Sequence, residues 1–112
     1  EPGDAAGTGA VSVSGVVALG YPLHPPGRPE KLRDAHLPRI SAPVLIVQGA
    51  RDPFGTETEL GPVLARMQQA TLHIIDGGDH SLSIRRKSAP PKDVIYSGVM
   101  ETVRGWVGQV VE

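Results

Sequence analysis

The chain has 112 residues, 11 basic and 12 acidic side chains, and a formal net charge of −1. Its charges are interspersed, which leaves no electrostatic footprint for nucleic acid or an anionic membrane, and no apolar run reaches the roughly 20 residues that cross a bilayer. Cysteine is absent, so disulfides, thiolate metal sites and a cysteine nucleophile are excluded.

Residues 1–12, "EPGDAAGTGAVS", read as a loop. Gly7-Thr8-Gly9 has no strand before it and no third glycine, so it is not a phosphate cradle. The opening lacks both a basic and an apolar leader segment and does not begin with methionine. The expectation is a piece of a longer protein or a processed product, cytoplasmic in location. A first strand is predicted around Gly15 to Leu19, followed by the proline-stiffened loop "HPPGRP". Glu30 to Leu37 is predicted to make two helical turns that end at Pro38, with His36 complementing the dipole at their C-terminal end.

Ala42 to Gly49 is the second predicted strand. Its run "VLIV" is continuously apolar, as in a parallel strand covered on both faces. Thr56 and Glu59 stand in the capping-box relation, and Leu60, Val63, Leu64 and Met67 form one apolar helical face. Gly61 and Pro62 are expected to weaken or delay that helix. Ala70 to Ile75 is the third strand, with "DGGDHS" as its exit turn. Asp93 is the expected N-cap of a last helix whose stripe of Val99, Val103, Trp106, Val107 and Val110 docks on the sheet. The fold class is therefore α/β, a parallel sheet with flanking helices in a single domain over residues 1–112: a loop, then three strand–helix units over 13–112.

Two strands end on titratable residues, "VLIVQGARD" on Asp52 and "LHIIDGGDH" on His80. In open α/β sheets, functional residues gather beyond the carboxyl ends of strands. An aspartate there can fix the tautomer of an imidazole and stabilise its protonated form, so that the imidazole serves as base and then acid. Asp52 read alone is a turn former before Pro53; for His80 the rival is a surface histidine in a glycine turn, but its "GGDHS" context favours a functional role. Their shared position at neighbouring strand ends favours the catalytic reading of both.

These segments resemble the acid and histidine strands of α/β-hydrolases, in the chain order acid before histidine. More narrowly, "LGYPLHPPGRPEKLRDAHL" with "VQGARDPFG" and "GGDHSL" resembles the dienelactone-hydrolase-related subfamily. That group includes the third subunit of the nuclear NSL chromatin complex and a testis-expressed relative. The resemblance implies strands six to eight of the hydrolase sheet, with Asp52 as triad acid and His80 as triad base. It also implies that the loop Tyr21 to Gly27 lines the substrate cleft, so Tyr21, His24 and Arg28 are candidate contacts for a small ester-like substrate.

The family's nucleophile elbow, G-x-S-x-G, has no counterpart here. No serine, from Ser12 to Ser97, has glycine at both −2 and +2. The expected function is the C-terminal part of a Ser–His–Asp hydrolase, inactive alone and without a cofactor or metal. The rival is a non-catalytic hydrolase-fold scaffold or interaction module. The expected partners are the missing N-terminal part of the same fold or, through the exposed sheet edge, a second copy. His73, Asp76, Asp79 and His80 crowd one stretch but match no metal-ligand spacing.

Overall fold

The structure is a computed structural model that describes residues 14–84, 86 and 89–110. The loop predicted for residues 1–12 lies outside them. Strands β1 (Val16–Leu19), β2 (Val44–Gly49) and β3 (Ala70–Ile75) form a parallel sheet in the order β1-β2-β3. Val16 pairs with Val44, and Val44 with Ala70. Every residue of β2 is buried, as its unbroken apolar run requires.

Side chains alternate across a strand, so β2 feeds two cores. Val44 and Ile46 join Leu23, Leu37, Ile40, Leu60, Val63 and Met67 on one face. Leu45 and Val47 join Leu82 and Val99 on the other, with Val103 and Trp106 packed alongside. Each such buried aliphatic side chain contributes about 1.5–3 kcal/mol.

Helix α1 (Glu57–Leu64) covers the first face. Both halves of its capping box form: the Thr56 hydroxyl accepts from the Glu59 amide, and the Glu59 carboxylate accepts from the Thr56 amide. The helix starts at Glu57 despite Gly61 and Pro62, because its first amides are satisfied by the cap. Helix α2 (Lys92–Val110) covers the second face. Asp93 lies inside its first turn and is not the N-cap. The Val94 and Ile95 amides donate instead to the Pro91 carbonyl, at 3.0 and 3.2 Å. Of the predicted stripe, Val99 is buried and Trp106 half-buried, while Val107 is exposed.

The helix predicted over Glu30 to Leu37 does not form. Both backbone groups of Arg33, at its middle, are taken from outside: Arg33 N–H donates to the Leu23 carbonyl at 2.7 Å, and the Tyr21 hydroxyl donates to the Arg33 carbonyl. Asp34 pairs with Arg66 beyond α1. Two isolated turns are marginal as a helix, and these tertiary bonds outcompete them. A 3₁₀ turn follows at Leu37–Arg39, with His36 at its N-cap and Pro38 inside it. Pro38 therefore sits in the opening of a turn, where its missing N–H costs nothing.

Candidate active site

The ends of β2 and β3 are laced together by backbone bonds. Ala50 N–H donates to the Ile75 carbonyl at 3.0 Å, and Arg51 N–H to the Gly78 carbonyl at 2.8 Å. Gly49 is required at this crossing, since a Cβ there would lie 2.3 Å from the carbonyl oxygens of both Gly78 and Asp79. Beyond it, the turn carrying His80 is braced by Asp79, whose Oδ1 accepts from the Ser81 and Ser83 amides at 2.9 and 3.0 Å.

This lacing brings the two predicted residues into contact. His80 Nδ1 and Asp52 Oδ2 are 2.8 Å apart. The other Asp52 oxygen, Oδ1, accepts from the Phe54 amide at 2.8 Å. Asp52 is fully buried, whereas the His80 side chain is 39% exposed. A carboxylate only accepts, so the bond sets Nδ1 as the protonated nitrogen and Nε2 as the basic one. The Phe54 ring lies against the imidazole, with centroids 4.2 Å apart and planes 32° from parallel. The chain leaving β1 passes close behind: Gly20 has φ 80°, and a Cβ on it would meet the His80 carbonyl at 2.7 Å. Three consecutive strand ends thus converge on one imidazole.

Two supporting roles are not evident from the sequence, that of Gln48 and the second role of Glu59 beyond its cap. Gln48 is fully buried at the end of β2. Its Oε1 accepts from the Tyr21 amide at 2.7 Å, and its Nε2 donates to the carbonyls of Tyr21 and Gly55, at 3.0 and 2.9 Å. It therefore ties the loop after β1 to the loop holding Asp52. Glu59 completes its cap and also reaches His24, with Oε2 2.8 Å from Nε2. An amide in an otherwise apolar strand was the only sequence signal for Gln48. Glu59 was already explained by its cap.

The other candidates are placed apart from the Asp52–His80 contact. Tyr21 donates its hydroxyl to the Arg33 carbonyl and packs against the α1-side core. His24 is buried between the Pro25 carbonyl, 2.8 Å from Nδ1, and Glu59. That carbonyl and the Glu59 carboxylate hold the His24 pKa above its usual value, and the imidazole in turn lowers that of Glu59. The Arg28 side chain is exposed, 3.5 Å from the Glu30 carboxylate.

His80 opens onto a groove of about 400 Å³, lined mainly by Leu19, Leu82, Tyr96, Val99 and Met100. The Tyr96 hydroxyl donates to the Ser81 carbonyl at 3.1 Å on its rim. Among the described residues, no three His, Asp or Glu side chains gather closely enough to hold a metal ion. No helix among them is long and apolar enough to cross a membrane.

The parallel sheet thus pairs a buried carboxylate with an imidazole at consecutive strand ends, in an α/β architecture. The sequence matches the alpha/beta hydrolase domain family over residues 5–108, and the chain belongs to that family.

Proposed function

We propose that Asp52 and His80 are the acid and base of a Ser–His–Asp site that cleaves an ester or similar acyl bond. The 2.8 Å bond between the buried carboxylate and Nδ1 of the half-exposed ring carries this reading. In it, His80 Nε2 takes the proton of an attacking serine hydroxyl and returns it to the leaving group. Asp52 holds the tautomer and stabilises the imidazolium between those steps. The apolar groove beside His80 suits the uncharged body of such a substrate. Tyr21 and His24 build the loop, while Arg28, with its exposed side chain, is the one of the three candidates left to meet substrate.

No serine of this sequence stands in the family's glycine-flanked elbow. The nucleophile and oxyanion donors are therefore assigned to a further part of the same fold. That part also suits β1, whose outer edge pairs with no described strand and whose Val17 and Leu19 side chains are 37% and 51% exposed on the α2-side face. A second copy is the alternative cover for that edge. The motifs "GYPLHPPG" and "QGARDPFG" support placement in the dienelactone-hydrolase-related subfamily.

The missing elbow also favours a second reading, a hydrolase-fold interaction module that does no chemistry. Labelling the protein from its native cells with a fluorophosphonate probe separates the two. One adduct, lost in His80→Ala, is expected for the hydrolase. A folded protein with no adduct would leave the interaction module.

A further inference from the structure

The buried His24 and its partly exposed partner Glu59 form a pair that the proposed chemistry does not use. Both His24 ring nitrogens face acceptors: Nδ1 the Pro25 carbonyl and Nε2 the Glu59 carboxylate, each at 2.8 Å. A neutral imidazole has one N–H, so both bonds form only when His24 is the imidazolium. The carboxylates acting on it are Glu59 from α1 and Glu30 from its own loop. Its backbone is engaged as well, since His24 N–H donates to the Phe54 carbonyl at 2.9 Å. The Phe54 amide in turn bonds Asp52 Oδ1, and its ring lies on His80.

The geometry points to a positioning role: the His24 imidazolium, clasped by Glu59, holds Phe54 in place and so fixes the His80 ring on Asp52. Both links act through Phe54. Its amide anchors the carboxylate oxygen that His80 does not use, and its ring covers one face of the imidazole. Losing the His24 proton breaks one of the two ring bonds and leaves a lone pair facing the acceptor that the lost proton had bridged. The loop then loses the grip that sets Phe54. His24 and Glu59 lie outside the Asp52–His80 contact and act on it through Phe54, so they are positioning residues.

The catalytic importance of this clasp rests on the proposed hydrolase reading, but its existence does not. The test therefore reads the rings and not activity. Histidine ring nitrogens are followed by NMR against pH in the full 112-residue chain and in Glu59→Gln, which keeps the cap because glutamine also serves at that position. In the unsubstituted chain, His24 should titrate above 6.5, and the His80 signals should show an inflection at the His24 midpoint. In Glu59→Gln, the His24 midpoint should fall, and the His80 ring should lose its single Nδ1–H tautomer. A His24 midpoint at or below 6.5, or a His80 ring with no inflection at that midpoint, overturns the proposal. Should Glu59→Gln fail to fold, the titration of the unsubstituted chain decides alone. Failure of fluorophosphonate labelling would sink the hydrolase reading and leave these signals unchanged.

Discussion

Gly49 and Asp79 meet so closely that the carbonyl oxygen of Asp79 would lie 2.3 Å from a Cβ on Gly49. The atoms in the way are backbone, which cannot swing aside as a flexible side chain does. Gly49→Ala must therefore push the β3 exit turn away from β2 and carry His80 off Asp52. Overpacking of this kind costs about 3 kcal/mol. Chemical denaturation should register that loss, and the His80 Nδ1 proton signal should weaken with it.

Gln48→Leu keeps the volume of a fully buried side chain but removes three hydrogen bonds. The buried Gly55 carbonyl loses its Gln48 donor, and Tyr21 loses its two backbone bonds to Gln48. Stripping partners from buried polar groups costs about 1–3 kcal/mol each, so a total of about 3 kcal/mol is expected. Urea denaturation measures it. Increased hydrogen exchange at Tyr21 would show that the loop after β1 is what loosens.

Thr56→Ala removes the hydroxyl that accepts from the Glu59 amide. The expected cost is about 1 kcal/mol, typical of a lost N-cap. Glu59 also loses its contact with that hydroxyl, so the variant should weaken the His24 pair slightly. A double-mutant cycle of Thr56→Ala with His24→Asn should give a non-zero coupling.

The pH dependence of stability follows from the same pair. His24, raised above 6.5 by the Pro25 carbonyl and Glu59, contributes fully below 6.5 and loses its contribution as pH climbs through the folded value. Glu59, lowered below 4.5 chiefly by His24, contributes above 4.5 and loses its contribution as pH falls through its own folded value. Both contributions are in place between pH 4.5 and 6.5. The Tm difference between the unsubstituted chain and Glu59→Gln should be largest in that window and shrink on either side.

Asp52→Asn keeps an oxygen for the Phe54 amide but presents His80 with the wrong partner. In a form of the protein that hydrolyses esters, kcat should fall by roughly 10⁴-fold. Near-unchanged circular dichroism would assign that loss to the tautomer and not to unfolding.

Much of this arrangement was legible in the residues, and the exceptions share a cause. The run Val44 to Val47 announced a strand buried on both faces, and Thr56 with Glu59 announced a helix start, because both signals are local. The Asp52–His80 contact was legible because parallel strands put their ends at one edge of a sheet. The helix expected at Glu30 to Leu37 failed because Leu23 and Tyr21, outside that segment, take both backbone groups of Arg33 at its middle. Gln48 and the His24–Glu59 pair went unread for the same reason. Their partners come together only when the loop after β1 closes over the Asp52 turn.

The burial of β2 also bears on how the chain reaches this state. β2 bonds to a strand on either side, yet neither neighbour is joined to it by a hairpin. Val16 must find Val44, and Val44 must find Ala70, each across a whole crossover segment. No tight turn can start the sheet and let it zip. Folding should therefore be slow for a chain of this size, because each pairing requires a long loop to close before contacts reward it. Throughout that search the segment Val44 to Val47 is unprotected, and it is there that two copies of the nascent chain would first adhere.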